Sequence, residues 1–193
     1  MKPKILFIHG FASCGVGQKS RTLMNWFGRD RVIAPDLPPD PQEAIEALEG
    51  ILSSESVGLL VGSSLGGYFA TWLQGRHGVP AVLINPAVAP YLLLEDYLGV
   101  HEDCHGRPFE VTPATLTTLR GMHRESLKEN EHYLVLLATG DETLDYRVAA
   151  NYYAEKDLII HEGGNHRFEN LADYLPRIQA WAEQHAPQIQ DAT

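Results

Sequence analysis

LLVGSSLGGYFA, residues 59–70, runs from an apolar segment into a helical pattern through a turn of glycines and serines. A serine hydroxyl is a weak nucleophile near neutral pH. It needs a base to take its proton and a position that substrate can reach. A sharp strand-to-helix turn supplies that position, and it brings strand and helix so close that the residues two before and two after the central one must be small. Centred on Ser64 those flanks are Gly62 and Gly66; centred on Ser63 they are Val61 and Leu65. Ser64 is therefore the candidate nucleophile, and Ser63 packs or hydrogen-bonds locally. G-x-S-x-G arises by chance in glycine-rich chains. Here "VGLLV" before it and "LGGYFATWL" after it supply the strand–turn–helix setting that the chemistry needs. The plainer alternative is a Gly/Ser turn ahead of a helix.

Working outward, short apolar runs alternate with amphipathic segments. The runs fall at 4–10, 31–36, 57–63, 81–86, 133–140 and 157–163, and most are continuous, as in strands covered on both faces. Between them lie helical patterns. In 41–52 Asp40 can cap, Pro41 suits the first helical position, and Ala44, Ile45, Leu48, Ile51 and Leu52 share a face. Leu171, Tyr174, Leu175, Ile178 and Trp181 repeat at helical spacing near the end, and 19–28, 65–76 and 145–153 are shorter candidates. This alternation predicts an α/β fold, a mainly parallel sheet of about six strands with helices on both faces. Sites in such sheets gather at the carboxyl ends of the strands.

The rhythm breaks between Pro86 and Tyr133. Residues 87–132 are too many for an ordinary connection and are expected to form a small lid over the strand ends; a longer structural crossover is the alternative. The insertion holds "YLLLEDYLG" (91–99), a polar stretch "HEDCHGRPFE" (101–110) and a helix-like segment opening at Thr112-Pro113. No internal repeat is visible, and the tail from 186 onward is expected to fray.

One domain of 193 residues, 44% hydrophobic, is enough for a well-buried core. A formal charge of −10 disfavours nucleic acid and anionic membrane surfaces as partners. No run approaches the ~20 apolar residues of a membrane span. "MKPKILFIHGF" is expected to be a first buried strand rather than a targeting signal. Cys14 and Cys104 are the two cysteines, expected to be reduced thiols of a cytoplasmic protein rather than a disulfide framework.

A nucleophile requires partners. Among nine histidines, His166 in "EGGNHRF" follows the last strand and precedes the last helix, at the same sheet edge as Ser64. It is the candidate base. "LLATGDETLDY" offers Asp141, Glu142 and Asp145 after the preceding strand. Asp141 is favoured as the acid by chain order Ser, acid, His, while Asp145 can cap the next helix. Two backbone N–H groups must then face the developing oxyanion. Leu65, after the nucleophile, is one candidate. Phe11, from "HGF" (9–11) at the end of the first strand, is the other, with Ala12 as fallback and His9 as a loop-fixing residue.

Taken together, "HGF", "GSSLGGYFATWL", "NPAV", "TGDETLDYR" and "EGGNH" resemble the small bacterial YqiA-type esterases of the α/β-hydrolase superfamily, over nearly the whole chain. The resemblance implies a compact α/β-hydrolase fold with Ser64 as nucleophile, Asp141 as acid and His166 as base. It also implies a carboxylesterase-like serine hydrolase acting on a small-molecule ester, extending to acyl thioesters. No cofactor and no metal is expected. A serine peptidase or amidase on the same four parts, and a non-catalytic binding module, are the rival functions. The cluster His101, Asp103, Cys104 and His105 carries metal-ligand residue types, but no partner pair at telling spacing stands elsewhere, so a polar lid loop is expected. Tyr91, Leu92, Leu93 and Leu94 either line an acyl wall or pack the lid.

Overall fold

Alternate side chains of a strand point to opposite faces, and the first strand shows what that does here. In the computed structural model, which describes residues 3–186, β1 (Lys4–Ile8) sends Ile5 and Phe7 into one apolar layer and Leu6 and Ile8 into another. Both layers exclude water, which is why the run reads as continuously apolar. The same holds for β3 (Val57–Ser63), β4 (Ala81–Ile84) and β7 (Tyr133–Ala138). With β2 (Val32–Ile33) and β8 (Asp157–His161) they form a six-stranded sheet in the order β2-β1-β3-β4-β7-β8, every pairing parallel.

On one face lie α1 (Gln18–Phe27) and α7 (Leu175–His185), contributing Leu23, Phe27, Ile178 and Trp181. On the other lie α2 (Pro41–Ser54), α3 (Leu65–His77), α5 (Pro113–Gly121) and α6 (Tyr146–Tyr152). The expected caps are in place. Asp40 accepts from Gln42 and Glu43 N–H at 2.9 and 3.0 Å, and Asp145 accepts from Arg147 N–H at 3.0 Å. The last helical pattern is split: 171–174 is a 3-10 turn, and α7 starts at Leu175 with Pro176 in its first turn.

Two expectations are corrected. The strand expected at 31–36 pairs only at Val32–Ile33; Pro35 has no N–H to give a ladder and the chain turns away. The polar stretch 101–110 is not a loop. Gly99–Glu102 (β5) and Pro108–Val111 (β6) form an antiparallel hairpin whose turn is built on Asp103. Asp103 Oδ1 accepts from the N–H groups of His105 and Arg107 at 2.8 and 2.9 Å. The rest of 87–132 holds α4 (Pro90–Leu93), a 3-10 turn to Tyr97, and α5, capped by Thr112. Beyond α5 it is tied to the sheet by a buried ion pair, Arg124 to Glu131 at 2.6 and 2.9 Å, with the Tyr133 hydroxyl beside it. The tail past Ala186 lies outside the described residues.

Strand order reverses direction between β1 and β3, so the chains leaving these two strands diverge. A parallel sheet opens a crevice at such a switch point, at the carboxyl ends of the strands. The loop holding Phe11 follows β1, and Ser64 follows β3.

Candidate active site

Ser64 stands between β3 and α3 with φ 55° and ψ −119°, a conformation that side chains other than glycine rarely adopt. The surroundings hold it there. Its N–H donates to Ile84 O at 3.1 Å, and its carbonyl accepts from Gly67 N–H at 2.9 Å and Ala87 N–H at 3.0 Å. A Cβ on Gly62 would strike the Gly66 carbonyl, and one on Gly66 would strike the carbonyl of Ile8. These contacts are the physical reason for the small-residue spacing around Ser64.

His166 reaches the serine from the loop after β8. Its Nε2 lies 3.1 Å from Ser64 Oγ, and its Nδ1 lies 2.8 Å from Asp141 Oδ2. Asp141 is almost fully buried, its side chain 2% exposed against 21% for His166. Its other oxygen accepts from the N–H groups of Thr143 and Leu144, both at 2.8 Å. Burial alone would push the Asp141 carboxyl up. The hydrogen bond from His166 and the two backbone amides outweigh it and hold the group below the ordinary carboxylate value. The imidazole thus has an ionised acceptor on Nδ1, which fixes the tautomer that leaves Nε2 facing the serine hydroxyl.

Two further residues hold this loop: Asn85, to which the sequence reading assigned no role, and Glu142. Asn85, 2% exposed and at φ 41°, donates from Nδ2 to the Asn165 and His166 carbonyls, both at 3.2 Å, and its Oδ1 accepts from Ala138 N–H at 2.9 Å. Glu142, weighed as an alternative acid, accepts the His166 backbone N–H at 2.9 Å instead. The Asn-Pro step after β4 was the available signal for Asn85, since a strand ending on such a step marks a turn. His9 behaves as a loop-fixing residue. Its Nε2 accepts from Leu37 N–H at 3.0 Å, so Nδ1 carries the proton and donates to Gly10 O at 2.8 Å.

Ser64 and His166 open on a cavity of about 550 Å³, within the usual range for a small-molecule site. Phe11 and Leu65 line it, as do Leu92, Leu93 and Leu94, while Tyr91 instead packs edge-on against His123. Leu92 and Leu93 are 53% and 43% exposed, an apolar wall presented to the opening. Lys19 and Arg167 stand at the same rim. Burial pushes the Lys19 ammonium down, and Arg167 nearby adds to the effect.

The metal-ligand types of the hairpin are not alone, contrary to the expectation from spacing. Cys14 and Asp36 come to Cys104 and His105, and Cys14 and Cys104 form a disulfide, which corrects the reading of both as free thiols. Their separation of 90 residues conceals a Cα–Cα distance of 5.6 Å, produced when the hairpin folds back over the loop after β1.

Solved structures show the same architecture. α/β-Hydrolase domain-containing protein 10 from mouse superposes with a TM-score of 0.72 at 18% identity, over 95% of this chain and 90% of its own. The esterase domain of a Rhodothermus marinus protein gives 0.68 at 19%, over 95% and 88%. Est1E from Butyrivibrio proteoclasticus with ferulic acid bound gives 0.67 at 13%, over 97% and 89%. The fold is therefore the α/β-hydrolase fold, with a small antiparallel hairpin inserted. No helix among the described residues is long and apolar enough to cross a membrane. In sequence, the chain is 26% identical to UPF0227 protein YcfP of Salmonella paratyphi A over 190 residues, 92% of this chain and 97% of that one. It is 27% identical to a UPF0227 protein of Shewanella woodyi over 186 residues, 92% and 98%. The model of the group described as Uncharacterised protein family (UPF0227) matches residues 4–183, and the chain belongs to that family.

Proposed function

We propose that this protein is a serine hydrolase that cleaves carboxylic esters, extending to acyl thioesters, through an acyl-enzyme on Ser64. The observation that carries the reading is the unbroken hydrogen-bonded path from Ser64 Oγ through His166 to Asp141, at a strained turn that opens on an apolar cavity. Ser64 Oγ attacks the ester carbonyl carbon as His166 Nε2 takes its proton. Asp141 holds the Nδ1 proton and stabilises the imidazolium that forms. The N–H groups of Phe11 and Leu65 receive the oxyanion. Collapse breaks the bond to the alcohol oxygen, which leaves with the proton from His166. Water then attacks the acyl carbon, gives its proton to His166, and Ser64 is released.

Several features support this reading over its rivals. The wall of Leu92, Leu93 and Leu94 suits an acyl chain. Structures of like fold include one named an esterase domain and one solved with ferulic acid bound. The motif resemblance to YqiA-type small esterases points the same way. The reading takes the whole chain as one domain with 87–132 as its lid, and sets the protein in the cytoplasm. It needs neither cofactor nor metal for the chemical step.

The test is direct. Ser64→Ala is expected to abolish turnover of a short p-nitrophenyl ester while the far-ultraviolet circular dichroism and urea midpoint stay unchanged, and a fluorophosphonate probe should label the native chain on Ser64 only. Undiminished turnover in the variant overturns the proposal. The matching amide, run beside the ester, separates an esterase from an amidase.

A further inference from the structure

Three loops bring four side chains of metal-ligand type together. Cys14 sits on the loop after β1, Asp36 on the loop after β2, and Cys104 and His105 at the tip of the β5–β6 hairpin. One ligand atom from each of the four lies within 4.8 Å of every other. Cys14 Sγ is 3.7 Å from His105 Nε2, and His105 Nε2 is 2.7 Å from Asp36 Oδ2. The positions are held from behind. Gly15 N–H donates to Asp36 Oδ1 at 2.8 Å, turning the other carboxylate oxygen toward the cluster. A Cβ on Gly15 would strike the Ala34 and Pro35 carbonyls, so the two loops lie in direct contact. The Asp103 turn, with Gly106 at φ 73°, presents Cys104 and His105 side by side.

We propose that the reduced protein binds one zinc ion here, through Cys14 Sγ, Cys104 Sγ, His105 Nε2 and an Asp36 carboxylate oxygen. The disulfide is the oxidised, metal-free form of the same site. Two thiolates, an imidazole and a carboxylate are a borderline-soft donor set that suits tetrahedral zinc and disfavours calcium or magnesium. With zinc–sulfur bonds near ~2.3 Å and zinc–nitrogen or zinc–oxygen bonds near ~2.0–2.2 Å, the edges of the tetrahedron are about 3.3–3.8 Å. The Cys14–His105 separation of 3.7 Å already fits; the His105–Asp36 pair must open slightly and the two sulfurs must part. The Gly15 amide on Asp36 is the kind of outer contact that orients a metal-bound carboxylate.

The conversion balances simply. A dithiol reductant gives two electrons and two protons, the Cys14–Cys104 bond becomes two thiols, and the reductant leaves as its own disulfide. Zinc then displaces both thiol protons into solvent. Either form fastens the hairpin to the loop after β1, where Phe11 packs edge-on against Phe109 and His101 at 5.6 and 5.7 Å between ring centroids. The site stands independently of the role given to Ser64.

The full chain, reduced with a phosphine and freed of metal, is titrated with cobalt(II) and then with zinc. The expected result is one cobalt per chain, with a thiolate-to-cobalt charge-transfer band and the intense visible bands of a tetrahedral ion, both bleached by one equivalent of zinc. Zinc should also shield both thiols of the wild-type chain from a disulfide-based thiol reagent, a readout that needs no variant. C104S and H105A should each weaken cobalt binding by ~100-fold or more, since loss of an outer-shell contact alone costs about 10–100-fold. H77A, a distant histidine on α3, should leave it unchanged. Uptake without thiolate bands, thiols that react equally fast with and without zinc, or binding unaltered in H105A would each overturn the proposal.

Discussion

Asn85 shows how much of the site rests on one side chain that is not among its candidate reacting groups. Its amide joins three segments: the turn after β4, the end of β7 that leads to Asp141, and the loop that carries His166. Asn85→Ala would leave the Ala138 N–H and two carbonyls without this partner in a buried place. The expected cost is about 1–3 kcal/mol in urea unfolding, with kcat on a p-nitrophenyl ester falling more than KM changes, because the histidine loop loses its anchor. Asp141 makes a separate, pH-dependent claim. Its folded carboxyl is held below the ordinary value, so its contribution to stability is complete above the unfolded pKa of about 3.9 and is lost as pH falls through the folded value. Asp141→Asn should therefore unfold more readily than the wild type at pH 7, and the gap should close below about pH 4. Activity at neutral pH should fall by about 10⁴ through the wrong tautomer of His166. A stability gap that persists unchanged at pH 3 would contradict the assignment of that carboxylate as a stabilised anion.

Among the elements, α3 and the end of the 87–132 insertion carry the tightest constraints. The helix is buried nearly all round, and its first turn presses on β1 through Gly66. Gly66→Ala puts a methyl group into the Ile8 carbonyl, where only backbone can yield. The expected cost is at least the ~1–3 kcal/mol typical of overpacking. Because the same turn sets Ser64, fluorophosphonate labelling should slow even in the folded fraction. At the other end, Arg124 and Glu131 are 15% and 7% exposed. Burial pushes the Glu131 carboxyl up, but the Arg124 guanidinium and the Lys128 amide outweigh it and hold it low. Removing one partner strands the other charge, so Glu131→Ala should cost about 3–5 kcal/mol by urea unfolding. Conversion of both residues to apolar ones of similar volume should cost far less. Neither constraint follows from helical or strand periodicity. The glycine spacing announced the first, whereas nothing local marks Arg124 and Glu131, seven residues apart, as partners.

Across the whole molecule, the six strands were legible because a parallel sheet covered on both faces writes each strand as an unbroken apolar run, as in Leu59–Val61 or Leu134–Ala138. The meeting of Ser64, Asp141 and His166 at one edge was legible because parallel strands carry their following loops to the same side. The hairpin was not, since β5 exposes every second residue and leaves the others only half-buried, and so writes no apolar run. Cys14 and Cys104 were hidden for a different reason: contact between two loops leaves no periodic trace in either. Their bond has a consequence at this scale. It spans 90 residues and encloses α1 through β5, including the turn at Ser64. In the chain-entropy account, closing a loop of that length in the unfolded state is worth about 4–5 kcal/mol. Oxidised wild type should therefore unfold at markedly higher urea than C14S/C104S, whereas the metal-free reduced wild type should match the double variant. Neither cysteine lines the cavity at Ser64 and His166, so ester turnover by the double variant at low urea should remain. If oxidised and reduced chains unfold at the same urea concentration, the cross-link is not constraining the unfolded chain, and the loop-closure argument fails.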